Sequence, residues 1–177
     1  MQKLKNEELE RISAEAYKNT IKTPIIIVLD NIRSMNNIGS AFRTADSFLI
    51  EEILLLGITA QPPHREINKT ALGATESVPW QYFAESSAAL DYLNHGNYKV
   101  LAVEQAHEST KLQNFKPQID TKYALVFGNE VKGVSDDIMN QIDGCLEIPQ
   151  KGSKHSLNIS VSLGIVLWDF AQKMKIF

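Results

Sequence analysis

Pro24-Ile25-Ile26-Ile27-Val28-Leu29, followed directly by Asp30-Asn31-Ile32-Arg33-Ser34-Met35-Asn36-Asn37-Ile38-Gly39-Ser40-Ala41-Phe42-Arg43-Thr44-Ala45-Asp46, is the stretch from which the fold is read. The unbroken apolar run Ile25–Leu29 is what a strand covered on both faces requires. The polar loop behind it offers Asn and Ser side chains able to cap a helix. Ala41, Phe42, Ala45 and Phe48 then recur at helical spacing between Gly39 and Phe48. Gly39 permits a close backbone approach, and Arg43 is expected about one turn into the helix. Strand, capping loop and helix in that order form the unit from which parallel sheets are wound.

The same alternation continues in both directions. Upstream, Asn6 is positioned to cap a short helix carrying Leu9, Ile12 and Ala16 on one face. Glu7 and Glu8 suit its dipole, and the helix ends near Thr20 before the break at Pro24. Downstream, Ile53–Leu56, Val100–Val103, Ala124–Phe127 and Cys145–Ile148 read as strands. Ser86 or Ser87 caps a helix through Leu93 that Gly96 ends, Ser135 caps one through Ile142, and Leu157–Met174 is a long final helix. Thr59–Phe83 fits neither period, and its prolines and glycine suggest a long functional loop. The pattern predicts an α/β fold with a doubly wound, mainly parallel sheet; it does not give the strand order. Residues 1–20 are read as a helical extension and residues 21–177 as one domain.

Composition sets the outer limits. The chain has 177 residues, 44% of them hydrophobic, enough for a sizeable core in a single domain. Its one cysteine, Cys145, excludes an internal disulfide, suits a reducing compartment and is read as a small buried hydrophobe. The first twenty residues lack the apolar stretch of a secretory signal, and the apolar runs are far too short to span a bilayer. A cytoplasmic protein without membrane association is expected. The net charge of −3 gives no support for a nucleic-acid partner, but its distribution is compatible with RNA. Arg33, Arg43, Lys132, Lys151 and Lys154 stand in or beside Gly- and Asn-rich loops, whereas acidic residues crowd the N-terminal segment at Glu7, Glu8 and Glu10.

Ligands of open α/β sheets sit at the carboxyl ends of strands, and three strand ends here carry unusual residues. The loop after Leu29 has just been quoted. The second is Gly128-Asn129-Glu130-Val131-Lys132-Gly133-Val134-Ser135, a tight turn between two glycines with exposed backbone N–H groups. A carboxylate at its centre disfavours phosphate and suits a cationic or hydroxyl-bearing ligand. The third is Pro149-Gln150-Lys151-Gly152-Ser153-Lys154-His155-Ser156-Leu157-Asn158-Ile159-Ser160, basic and hydroxyl-rich ahead of a helix N-terminus. It lacks P-loop spacing, and no Gly-x-Gly-x-x-Gly follows any strand. His64, His95, His107, His155 and Cys145 show no metal-ligand spacing, so no metal is expected.

Together the three loops resemble the motifs of the SPOUT superfamily, in its SpoU/TrmH type of RNA methyltransferase. Asn37, Gly39 or Ser40, Ala41, Arg43 and Thr44 match the first motif, and Gly128, Glu130 and Gly133 the second. Ile148, Pro149, Gly152, Ser156, Leu157, Asn158 and Ser160 match the third, with Gln150 in place of the usual Met and Ile159 in place of Val. Order and spacing agree over residues 25–170.

The resemblance implies a SPOUT fold with a C-terminal trefoil knot over roughly residues 120–170. It implies S-adenosylmethionine as cofactor, held by Gly128, Asn129, Glu130, Ile148, Ser156 and Leu157, and a homodimer with the active site beside the subunit interface. Methyl transfer to a ribose 2′-hydroxyl of tRNA or rRNA is the expected reaction. Arg43 is its key residue by resemblance, and Asn37, Ser156, Asn158 and Glu130 position the ribose or order the loops. RNA is expected on Arg33, Arg65, Lys69, Lys132, Lys151 and Lys154, with tRNA slightly favoured because only a short helix accompanies the domain. The alternatives are a base methyltransferase of the same superfamily and a non-catalytic RNA-binding protein that kept the fold.

Overall fold

The computed structural model describes residues 1–9 and 11–176, so Glu10, read above as part of the acidic N-terminal segment, lies outside it. The same holds for the side chains of Asn6 and Glu7, and with them the proposed Asn6 cap. The strands are β1 (Thr23–Asp30), β2 (Ile50–Leu56), β3 (Trp80–Phe83), β4 (Tyr98–Val103), β5 (Thr110–Lys111), β6 (Lys122–Phe127) and β7 (Gly144–Glu147). They form one seven-stranded sheet in the order β3-β2-β1-β6-β4-β7-β5. Every neighbouring pair is parallel.

The helices are α1 (Ala14–Asn19), α2 (Met35–Ser47), α3 (Arg65–Ala71), α4 (Ala74–Ser77), α5 (Ser86–His95), α6 (Asp136–Met139) and α7 (Ile159–Lys173). They cover both faces of the sheet. Alternate residues of β1 go to opposite sides: Ile25, Ile27 and Leu29 join Phe42, Ile67, Leu163 and Phe170 in one core, and Ile26 and Val28 join Leu90, Leu93 and Ile138 in the other. This two-sided burial is why β1 is an uninterrupted apolar run. Tyr17 of α1 is buried in the first core, and its hydroxyl donates to the Ile50 carbonyl at 2.8 Å.

Three sequence expectations need correction. The N-terminal helix is two pieces, a 3-10 turn at Asn6–Leu9 and α1, because Ser13 adopts an extended backbone and caps α1 by accepting from Ala16 N. α2 begins four residues earlier than the apolar spacing indicated: Ser34 caps it, accepting from Asn37 N. Arg43 therefore lies in the third turn, not the first. Thr59–Phe83 is not a loop, since it holds α3, α4 and the edge strand β3. Elements of seven, four and four residues are too short to display a period.

Smaller differences concern element ends. Asn158 caps α7, accepting from Ser160 N, and α6 stops at Met139 rather than Ile142. Glu85 occupies the cap position of α5 without a side-chain bond. Gly39 behaves as read: a Cβ there would lie 2.2 Å from the Ile67 carbonyl oxygen, so α3 packs directly on the α2 backbone. Cys145 is half-buried rather than fully buried. No helix among the described residues is long and apolar enough to cross a membrane.

Candidate active site

The strand order reverses beside β1. β2 and β3 extend to one side and β6, β4, β7 and β5 to the other, which opens a crevice at the carboxyl ends. A cleft of about 660 Å³ lies at the carboxyl ends of β4, β6 and β7. Its walls come from the end of β4 (Val103, Glu104, Gln105), the loop after β6 (Phe127–Val131, Gly133), and the segment from β7 into α7 (Ile148, Gln150, His155–Ile159, Ser162). All six residues expected to hold a cofactor, Gly128, Asn129, Glu130, Ile148, Ser156 and Leu157, line it.

The loop after β6 is rigid for identifiable reasons. Asn129 and Gly133 exchange two backbone hydrogen bonds of 2.9 Å, and Asn129 Oδ1 accepts from the N–H groups of Val131 and Lys132. Asn129 Nδ2 donates to the Asn31 carbonyl at 2.7 Å, which ties the loop to the end of β1. Buried Asp30 adds a second tie by accepting from Ser135 N at 2.7 Å. Gly128 is required here, because a Cβ would fall 2.1 Å from Val134 N.

Glu130 joins the second loop to the first. One carboxylate oxygen accepts from Arg33 N, and the other accepts from Ser34 N and Asn37 Nδ2, each at 3.1 Å. Partial burial pushes its pKa up. The N–H groups of Arg33, Glu130 itself and Ser34, with the Asn37 amide, outweigh that and hold it below the ordinary value. Asn37 Oδ1 in turn accepts from Asn158 Nδ2 at 3.1 Å, and Asn158 Oδ1 caps α7. The three loops are thus stitched into one chain of hydrogen bonds, Glu130–Asn37–Asn158. With both oxygens occupied, Glu130 is built to hold loops together rather than to take a proton.

The remaining expected residues are dispersed. Ser156 lines the cleft, whereas Arg43 lies on the exposed side of α2 and is not among the cleft residues. Arg33, Lys132, Lys151 and Lys154 are exposed on the loops themselves. Arg65 and Lys69 sit on α3, where Lys69 is paired with Glu66 at 2.7 Å. Of the histidines, His64 caps α3 and His155 lines the cleft, its carbonyl accepting from Gln105 Nε2 at 2.6 Å. No metal-binding cluster is present among the described residues.

Sequence reading missed Glu104 and Gln105. They carry no glycine or cap to mark them, and their position just past a strand end was the available signal. Among the described residues neither Glu104 nor Glu130 has an ion-pair partner, so the cleft presents two uncompensated carboxylates.

Known proteins share this chain's sequence pattern and fold. The chain is 28% identical over 149 residues to the 23S rRNA (guanosine-2'-O-)-methyltransferase of Photorhabdus laumondii, covering 84% of this chain and 60% of that one. It is 28% identical over 152 residues to the mouse tRNA (guanosine(18)-2'-O)-methyltransferase, covering 84% of this chain and 9% of that one. It therefore spans less than two thirds of the length of these relatives. An AdoMet-bound rRNA methyltransferase from Sinorhizobium meliloti superposes with a TM-score of 0.79 at 24% identity, over 88% of this chain and 59% of the other. The A. aeolicus TrmH/SpoU tRNA modifying enzyme gives 0.78 at 21% identity, over 92% and 84%. These two structures establish the likeness of fold. The sequence model of the SpoU rRNA Methylase family matches residues 24–168, and those residues include all three loops and the whole cleft lining: the chain belongs to that family.

Proposed function

We propose that this protein transfers a methyl group from S-adenosylmethionine to a ribose 2′-hydroxyl of tRNA or rRNA. The observation that carries the reading is the stitched cleft: the loops after β6 and β7 line one pocket with two carboxylates that have no ion-pair partner among the described residues, and the loop after β1 braces both through Asn37. The cofactor fits what is there. The volume lies within the ~300–1,000 Å³ usual for small-molecule sites. Gly128 and Gly133 bring bare backbone to the wall, Phe127, Ile148 and Leu157 supply apolar surface, and Glu104 and Glu130 favour a positively charged ligand. Gly128, Asn129, Glu130, Ile148, Ser156 and Leu157 would hold it. When bound, it supplies a methyl group activated by a positively charged sulfur.

The chain's own residues supply alignment and charge. Asn37, Asn158 and Glu130 fix the loops, and Ser156 orients the acceptor ribose. Arg43 stands outside the cleft lining, so its proposed role is toward the RNA rather than the cofactor: it grips the neighbouring phosphate and the ribose oxygen. Its guanidinium stays protonated in proteins, so it stabilises the developing alkoxide by charge-assisted hydrogen bonds while the proton leaves to phosphate or water. Arg33, Lys132, Lys151 and Lys154 neutralise backbone phosphates around the cleft, with Arg65 and Lys69 farther out.

Further parts of the reading have their own support. A homodimer is favoured by an apolar stripe on α7, where Val161, Ile165 and Trp168 are 49%, 39% and 56% exposed at helical spacing; a cytoplasmic setting is in keeping with the bacterial rRNA methyltransferase among its relatives. A trefoil knot over residues 120–170 agrees with the path of the last segment. It leaves β7, three positions from β1 in the sheet, and ends hydrogen-bonded to Asn37 at the head of α2. Residues 1–20 extend the domain formed by residues 21–177.

The test is transfer of labelled methyl into total tRNA and into ribosomal RNA, with nucleoside analysis; tRNA is the pool expected to be labelled. A 2′-O-methylated nucleoside is the expected product. A methylated base would overturn the acceptor. No incorporation, with no stabilisation by cofactor, would favour the non-catalytic RNA-binding alternative. Cofactor at a hundred times its dissociation constant should otherwise add about 2.7 kcal/mol.

A further inference from the structure

Glu104 is held at the floor of the cleft with capacity to spare. It is the first residue past β4, and its own N–H donates to the Leu146 carbonyl at 3.0 Å, so its backbone continues the sheet. The carboxylate turns toward the loop after β6. Its Oε2 lies 2.4 Å from where a Cβ on Gly133 would stand, so the carboxylate rests directly against the bare backbone of that glycine, whose φ of 73° itself disfavours a side chain. Val134 N donates to that oxygen at 3.3 Å, and Gln105 N donates to Oε1 at 2.8 Å.

An ionised carboxylate can accept about four hydrogens, and these contacts use two. No cation among the described residues takes up the rest. Glu130, the other carboxylate of the cleft, is by contrast engaged on both oxygens by the first loop. A carboxylate with free acceptor capacity, at a strand's carboxyl end and beside a glycine loop, has the chemistry that takes the hydroxyls of a bound nucleoside's ribose.

Resting on the cofactor reading above, we propose that Glu104 recognises the ribose diol of the cofactor's nucleoside. The carboxylate accepts from one or both hydroxyls while Val134 N and Gln105 N keep it in place. Gln105 adds the roof of the same subsite, since its side chain holds the loop over the cleft through the His155 carbonyl at 2.6 Å.

The test is calorimetric binding of S-adenosylhomocysteine and its 2′,3′-dideoxy form to the full chain, to Glu104→Gln and to Glu104→Ala. The wild type should bind the dideoxy form about tenfold to a hundredfold more weakly, as expected for lost hydrogen bonds to a charged group. That ratio should shrink in Glu104→Gln and approach one in Glu104→Ala. A purely structural role would weaken both ligands equally and leave the ratio intact, which overturns the proposal. A wild-type ratio below about threefold overturns it too, whatever the variants do. Failure of the wild type to bind either ligand would instead remove the cofactor reading, and this inference with it.

Discussion

Replacing Glu130 by Gln changes one atom, yet the surroundings of Glu130 make that change costly. One carboxylate oxygen receives Arg33 N, and the other receives Ser34 N and Asn37 Nδ2. A glutamine must turn its NH₂ toward one of these sets, so one or two of the three bonds are lost and donors face donors. Asn37 has no simple escape, because flipping its amide would withdraw the oxygen that accepts from Asn158. Hydrogen bonds to charged groups contribute about 1.5–3 kcal/mol each when sheltered. Glu130 is largely open to solvent, so a total loss of about 1–2 kcal/mol is expected.

Urea unfolding of wild type and Glu130→Gln should show that gap at about pH 7. Because the folded pKa is depressed, the contribution is complete above the ordinary value of 4.5. It fades as pH falls through the lower, folded value. Protonated Glu and Gln are then near equivalents, so the two curves should converge in acid. A gap under about 0.5 kcal/mol at neutral pH, or one independent of pH, would refute the argument that Glu130 works by joining the loops.

Three further outcomes are expected. Arg43→Ala should lower the single-turnover rate of methyl transfer by about 10²- to 10³-fold while unfolding stability stays within about 0.5 kcal/mol; an unchanged rate would remove Arg43 from the chemistry. Gly39→Ala should destabilise by about 1–3 kcal/mol in chemical unfolding, since the new Cβ would sit 2.2 Å from both Ile67 O and Thr70 Oγ1. Trp168→Ala, on the exposed stripe of α7, should shift sedimentation toward monomer with the helical circular dichroism unchanged; a dimer of undiminished stability would place the interface elsewhere.

The central strands were legible because two-sided burial leaves an unmistakable trace: β1 and β6 are nearly unbroken apolar runs, and so is β2 from Ile53 to Leu56. The edge was not. β3 is only partly covered and β5 has two residues, so neither carries a burial signature. α2 was found but started late, because Asn36 and Asn37 interrupt the apolar period just where Ser34 supplies the cap. At the site, the loops were identifiable from their residues, but their mutual bonds were not. Glu130 to Asn37 spans 93 positions and Asn37 to Asn158 spans 121, distances over which no local pattern operates. Glu104 was passed over because an acidic residue after a strand is unremarkable until Gly133 is seen against it.

Those long spans bear on when the site comes into being. Contacts between partners so distant in sequence form late, after the cost of closing large loops has been met by the rest of the chain. α7 and its cap Asn158 supply the last link of the stitch and part of one wall of the cleft, so a nascent chain halted before Asn158 would carry all seven strands and an unclosed pocket. Ligand binding by this protein is therefore a readout of finished folding. In a refolding experiment, recovery of the binding signal should trail recovery of the sheet.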